Sequence, residues 1–318
     1  MSNTENDVSY TTEEIAQLLK VSKLTVYDLI KKGEIRAYRV GRQMRVDAID
    51  LTAYKERLKS GGEIIPVKSA AANHKEQPAE PLRDPSVIIS GQDLSLDILA
   101  SYIEEAHLDY RPLRSFAGSL NSLIKMVQGE ADIVSTHLFD GETNSYNLPY
   151  IKRLLTGHSY LVVNLLGRTA GIYVQKGNPK LLRNWSDLGQ SGLRLINREK
   201  GSGARVLLDE QLRLADISPR TLAGYEDEEL NHMAVAARVA SGQADAGVGI
   251  EKTSRLIDVD FIPLIQESYD LVILKTDENE VLREFLLTTI RSADFKAKIG
   301  AIGGYDLSNT GAILYETP

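Results

Sequence analysis

Ile15, Leu18 and Leu19 fall on one face of a short helical period. It begins behind Thr11-Thr12-Glu13-Glu14, a hydroxyl cap with a glutamate three residues on. Val21-Ser22 interrupts the period. Ser22 can cap a second helix over Lys23 to Lys32, with Leu24, Val26 or Tyr27, and Ile30 at helical spacing, and Gly33 stops it. Ile35 to Val40 and Gln43 to Val46 then alternate in polarity around Gly41-Arg42, which predicts a two-stranded wing. A third helix follows from Ala48 to Leu58, with Ile49, Leu51 and Tyr54 inward. Two helices joined by a tight turn and followed by a wing predict a winged helix-turn-helix over residues 1–60.

From residue 61 to 85 the apolar pattern lapses. Gly61-Gly62, Pro78, Pro81 and Pro85 stand among small and charged residues, which marks a linker. The pattern resumes at Val87-Ile88-Ile89, an apolar strand ending in Ser90-Gly91. A helix with Leu94, Ile98, Leu99 and Tyr102 follows. Arg114-Ser115-Phe116 reads as the next strand end, Leu120 to Val127 as a helix opened by Gly118-Ser119, and Ala131 to His137 as a returning strand. Alternating strand and helix implies parallel pairing, with ligands at the carboxyl ends of the strands. A second set contains the apolar run Leu193 to Ile196, the loop Gly201-Ser202-Gly203, a helix Leu230 to Ala240, and Ala244 to Gly249. Met126-Val127-Gln128-Gly129-Glu130-Ala131-Asp132 is echoed by Val239-Ala240-Ser241-Gly242-Gln243-Ala244-Asp245. The echo predicts two similar lobes facing across a cleft, the first of about 86–165 and 272–318, the second of about 166–271. The fold class is therefore α/β: an N-terminal winged helix-turn-helix and a two-lobed body over 86–318.

Charge sharpens this division. The chain carries a net −7, yet Lys20 to Arg45 holds eight Lys or Arg against Asp28 and Glu34, a local +6, leaving −13 for the remainder. A basic island of this kind is an electrostatic footprint for the phosphate backbone of double-stranded DNA. There are no cysteines, which excludes disulfides and thiolate metal sites, and the five histidines include no His-x-x-x-His pair, so no metal site is expected. Met1 to Asp7 lacks the basic and apolar regions of an export signal, and no apolar run reaches the ~18 residues of a membrane span, so a cytoplasmic location without membrane attachment is expected. Neither a nucleophile elbow nor a P-loop of the Gly-x-x-x-x-Gly-Lys type is present, and no enzymatic activity or cofactor is expected.

The stretches Thr12 to Ala16, Val21 to Tyr27 and Gly33 to Arg42 resemble the excisionase-type winged helix-turn-helix, a relative of the MerR group. The resemblance implies Ser22, Lys23, Thr25 and Tyr27 near the groove of an operator. It implies Arg39, Arg42 and Arg45 on the wing, with Lys31 and Arg36 completing the basic set. A module of this size usually acts as a pair, so a homodimer or higher homo-oligomer is expected. The body, through Phe116-Ala117-Gly118-Ser119, Gly129 to Asp132 with Thr136-His137-Leu138, Gly201 to Arg205, and His232 to Gly249, resembles a type 2 periplasmic-binding-protein fold. The form it is similar to is the molybdate-binding-like version joined to helix-turn-helix domains. This implies molybdate or tungstate as effector in the cleft, and a one-component transcriptional regulator.

On physical grounds an oxyanion in a closing cleft wants neutral hydroxyls and helix-start amides. Ser90, Ser119, Thr136 and Ser202 are the hydroxyl candidates, with Gly91 and Gly203 allowing close backbone approach. His137 sits at a strand end beside them, and Arg205 supplies charge. Other readings stay open at this point. Ser119 and Ser202 can be simple N-caps, Thr136 and His137 structural, and Arg205 can pair with Asp209 at i,i+4. His232 reads as structural or surface. Asp93 would oppose an anion unless it points away, and the same loops would accept an organic acid or another small anion.

Overall fold

The computed structural model describes residues 9–31, 35, 37–40, 43–59, 86–106 and 108–318, and the chain divides into two compact units, Met1–Ala79 and Glu80–Pro318. The linker at 61–85, Gly33 and the Gly41-Arg42 turn lie outside the described residues.

The first unit runs β1 (Ser9–Thr11), α1 (Thr12–Leu19), α2 (Lys23–Lys31), β2 (Tyr38–Val40), β3 (Gln43–Asp47) and α3 (Ala48–Lys59). Thr11 caps α1 in a reciprocal box. Its hydroxyl accepts from the Glu14 amide at 3.3 Å, and its own amide donates to Glu14 Oε2 at 2.8 Å. Ile15, Val26, Ile35, Val46, Leu51 and Tyr54 form the core. Val26 is the inward residue of α2, and Tyr27 faces solvent. Two expectations change. Leu18 is exposed rather than facing the core. The wing is three-stranded in the order β1-β3-β2, because Ser9–Thr11 pairs antiparallel with Arg45 to Asp47.

The body continues through β4 (Ser86–Ser90), α4 (Ser95–Glu105), β5 (Arg111–Ser115), α5 (Ser119–Val127), β6 (Ile133–Thr136), β7 (Phe139–Asp140), β8 (Ser145–Tyr146), α6 (Leu148–Leu154) and β9 (Tyr160–Val174). The second half of the body runs β10 (Leu195–Arg198), α7 (Gly203–Leu214), β11 (Glu228–Glu229), α8 (His232–Ala240), β12 (Ala246–Ile250), α9 (Glu251–Ser254), β13 (Asp260–Leu274), α10 (Glu280–Arg291), α11 (Ala293–Ile302) and β14 (Ile313–Glu316). One nine-stranded sheet runs β11-β10-β12-β9-β13-β6-β4-β5, with β14 also on β9. Pairing is parallel within each βα set (β4 with β5 and β6, β10 with β11 and β12) and antiparallel where β9 and β13 cross the molecule. These two 15-residue strands serve both lobes. Each lobe covers both faces of its part of the sheet. In the first, Leu99, Ile103 and Ile290 lie on one side and Leu123, Met126 and Ile151 on the other. In the second, Leu207 and Leu212 oppose Val235 and Val239. Burial on both faces is what parallel strands require.

The internal echo in the sequence is an echo in structure. After α5, Gly129 turns at φ +74° and its amide bonds Met126 O at 3.1 Å; after α8, Gly242 turns at φ +72° and bonds Val239 O at 3.0 Å. The aspartate that follows does the same work in each lobe. Asp132 Oδ2 accepts the Ile88 amide in the middle of β4, and Asp245 Oδ2 accepts the Arg194 amide just before β10, both at 2.8 Å.

Candidate functional site

A cleft of about 430 Å³ opens between the two lobes of the body. Three helices of nine residues or more begin in its wall: α5 at Gly118-Ser119, α7 at Ser202-Gly203, and α8 at Asn231-His232. Each start carries roughly +0.5 of a charge from aligned peptide dipoles. The start of α7 is capped by Ser202 and that of α8 by Asn231, both neutral, whereas a fourth start, that of α4, faces a carboxylate, Asp93 Oδ1 accepting the Ser95 amide at 2.9 Å.

Of the eight sequence candidates for ligand contact, Gly91, Ser119, His137, Ser202 and Gly203 line this cleft. Ser119 Oγ lies 2.9 Å from His137 Nδ1 and accepts the His137 amide at 3.2 Å. Ser202 caps α7 through the Arg205 amide at 3.2 Å. The loops at these starts touch: Leu120 N donates to Gly201 O at 3.0 Å, so the lobes meet here backbone to backbone.

The other three candidates are corrected. Ser90 is fully buried and shares a 2.9 Å hydrogen bond with Ser122, on the flank of α5. Thr136 donates to Asn147 Oδ1 at 3.1 Å; Asn147, held at φ +63°, also donates to the buried Asp270 at 2.6 Å. A strand-end hydroxyl claimed by a buried polar network does not reach the cleft. Arg205 turns the other way, to Asp209 at 3.2 Å and Glu228 at 3.0 Å, with its guanidinium 4.2 Å from the Tyr225 ring. Its i,i+4 pairing is the structural role.

The cations of the wall are ones that motif reading passed over. Arg168, buried on β9, bonds Asp93 at 2.8 Å and Glu267, and lies 4.4 Å over the Tyr269 ring. Asp93 thus points into a pair rather than at a ligand. Burial works to raise its pKa, but Arg168, Ser95 and Tyr305 hold it below the ordinary carboxylate range. Burial outweighs Arg168 at Glu267, which is pushed up. Arg198, at the end of β10, holds Glu199 at 2.7 Å and Gln92 of the opposite lobe at 2.7 Å. Lys252 rests on Tyr305, Nζ to hydroxyl 3.1 Å, and burial pulls its pKa down. A charged residue inside the apolar run Tyr160–Val174 was the available signal for Arg168, since a buried charge must be paired.

Two histidines complete the wall. Burial, then the positive charge of Arg168 and Arg198, holds His137 and His232 well below the usual histidine value, so both are neutral at pH 7. His232 Nδ1 is buried and has no hydrogen-bond partner among the described residues. His232 lines the cleft as a residue, while this nitrogen is turned into the protein.

In the first unit, Ser22, Lys23, Thr25 and Tyr27 are exposed along the first turns of α2. Ser22 Oγ accepts the Thr25 amide at 3.1 Å, and Lys23 pairs with Glu13. Arg45 on β3 donates to Ser9 Oγ at 3.1 Å. Lys31 lies at the end of α2 and Arg39 on β2, while Arg36 and Arg42 lie outside the described residues.

The profile of the PBP superfamily domain matches residues 100–291, more than half of the chain, and that of a helix-turn-helix domain matches residues 9–59. The chain belongs to the PBP superfamily, with a helix-turn-helix domain at its N-terminus. It is 53% identical over 309 residues to the uncharacterized protein YvgK of Bacillus subtilis (strain 168), covering 97% of this chain and 98% of that one. An uncharacterized protein in the ferredoxin 2Fe-2S gene 5′ region of Clostridium pasteurianum is 46% identical over 112 residues, 35% of this chain and 99% of that one. Among solved structures, an ABC-type phosphate transport receptor from Vibrio cholerae is 17% identical with a TM-score of 0.47, over 69% of this chain and 99% of that one. A helix-turn-helix joined to a PBP-like domain is the architecture of a ligand-responsive, DNA-binding regulator. No described helix is long and apolar enough to cross a membrane.

Proposed function

We propose that the chain is a one-component transcriptional regulator that acts in the cytoplasm as a homodimer. Its first unit grips an operator in double-stranded DNA, and its body takes a small anion between the lobes. The observation that carries the anion reading is the convergence of the α5, α7 and α8 starts, with Ser119, Ser202 and His232, on one cleft. Hydroxyls and amides of this kind suit molybdate or tungstate, and equally an acid group on an organic molecule. Closure of the lobes on the anion is the event that DNA binding reads, because a ligand shifts an equilibrium only through unequal affinity for its two states.

The Ser119–His137 pair is the arrangement closest to a nucleophile and base, but it supports binding rather than reaction. The hydroxyl already accepts the His137 amide, and the depressed pKa makes the imidazole a weak proton acceptor. We assign the cleft no catalytic step and no cofactor.

The test is calorimetric titration of the full chain with molybdate, tungstate, phosphate and sulfate, alongside mobility shift of the DNA upstream of its own gene with and without each anion. Binding of one anion with a change in DNA retention is expected. Ser202→Asp keeps an N-cap and places a negative charge in the cleft, so it should abolish anion binding while leaving the fold intact. Unchanged titration of that variant would remove the α7 start from the site.

A further inference from the structure

The mouth of the cleft is built for more than a bare ion. Leu94, Phe116, Leu230, Met233 and Leu256 all line it, and they are 51, 69, 72, 51 and 67% exposed. Single exposed apolar residues are ordinary on a protein surface; five gathered at one opening form a patch of the kind that marks a binding surface. They come from both lobes and stand beside the polar wall: Leu94 follows Asp93, and Leu230 and Met233 bracket Asn231-His232. Phe116 is presented rather than loose. The Arg114 guanidinium lies 5.1 Å from its ring and is itself fixed by Asp97 at 2.7 Å and by the carbonyl oxygens of Ile89 and Gly91.

Size agrees with the lining. A cleft of about 430 Å³ lies within the range of roughly 300–1,000 Å³ that holds organic ligands. A four-oxygen inorganic anion at the helix starts would leave the apolar mouth facing water.

We infer that the ligand is an amphipathic organic anion. Its acid group sits at the starts of α5, α7 and α8, and an apolar group about the size of a ring lies against Phe116, Leu256 and their neighbours. The inference rests on the anion reading above and narrows it.

Matched pairs separate the two. The full chain is titrated with phosphate and phenyl phosphate, sulfate and phenyl sulfate, acetate and benzoate; members of a pair share an acid head and differ in the ring. In at least one pair the ring-bearing member should bind about tenfold tighter or better, which is about 1.4 kcal/mol. Phe116→Ser combined with Leu256→Ser should cut that ratio to about threefold or less. Circular dichroism and the unfolding midpoint serve as checks that the fold is kept. Equal affinity within every pair would overturn the organic ligand and leave the anion site standing. A ring preference that survives the double substitution would overturn the role of the mouth. Binding by no member of any pair would overturn this inference, and the titrations with molybdate and tungstate then decide whether the anion reading stands without it.

Discussion

Gly118 tests whether the two lobes must touch for the ligand to be held. Its φ of −68° and ψ of 162° suit any residue, so alanine brings no backbone strain. What it brings is a clash across the cleft. The added Cβ would stand 2.8 Å from Ser202 Cα, 2.9 Å from Gly201 O and 3.0 Å from Ser202 N, all backbone atoms of the other lobe. Carbon contacts relax near 3.5–4.0 Å, so the loops must part by roughly 0.5–1 Å. The 3.0 Å Leu120–Gly201 hydrogen bond stretches with them. Overpacking by one methyl costs about 1–3 kcal/mol, and a weakened hydrogen bond adds about 0.5–1.5. Both costs fall on the arrangement in which these loops touch. Together these come to about 1.5–4.5 kcal/mol, so a ligand that binds that arrangement should lose affinity by about 10- to 1,600-fold, read by calorimetry with the tightest anion found for the wild type. Gly300→Ala is the control: its Cβ would meet only Leu307 Cδ1, at an ordinary 3.6 Å. If Gly118→Ala binds within about twofold of wild type, contact between these loops is no part of the bound state.

Other consequences are as direct. Arg205→Ala should lower stability by about 1–2 kcal/mol in urea unfolding, because Asp209, Glu228 and the Tyr225 ring lose their partner, and should leave anion affinity unchanged. A large loss of binding without a loss of stability would restore Arg205 to the site. His137 and His232 stay neutral in the fold but take up protons when unfolded below pH ~6.5, so each removes up to about 1.4 kcal/mol per pH unit as pH falls from there. Glu267 and Asp270, raised by burial, act in the opposite sense at lower pH. The readout is therefore the difference between wild type and His232→Asn, whose unfolding midpoint should fall less between pH 7 and 5.5. Equal slopes for the two proteins would contradict the assignment. Arg45→Ala should weaken DNA binding alike on all sequences and reduce the salt slope by about one, measured by fluorescence anisotropy across salt; an unchanged slope would take Arg45 off the phosphate backbone.

The echo between the lobes could be read from the chain because α5 and α8 are each followed by a glycine, Gly129 and Gly242, then Ala-Asp and an apolar strand. The long strands were less legible: β9 is buried on both faces nearly throughout and shows no alternation to count, and β13 is continuously buried only from Tyr269 to Ile273. The helix starts at Ser119 and Ser202 announced themselves through capping chemistry. Which hydroxyl faces the cleft did not: Ser90 and Ser119 both sit at strand-to-helix turns, and the distant residues Ser122 and His137 decide their fates. Thr136 was lost to Asn147, eleven residues away in sequence. Strand β1 escaped notice because three residues are too few for a period.

The positive field of the cleft wall comes largely from backbone. Arg168 lies between Asp93 and Glu267 and Arg198 against Glu199, which leaves three fixed helix ends together with Lys252, whose partner is the neutral Tyr305. The arginines have another use. Arg168 and Glu267 face each other across β9 and β13 where those strands cross between lobes, and Asp93 ties the pair to the loop before α4. A buried pair of this kind is weak evidence for stability, yet slipping the register by one residue would strand a charge away from water. On either side of it β13 breaks register, between Pro263 and Ile265 and between Tyr269 and Asp270. Bulges bend strands. In the closure proposed above, these two bulges are where the connecting strands would bend, with the buried pair as the fixed point between them.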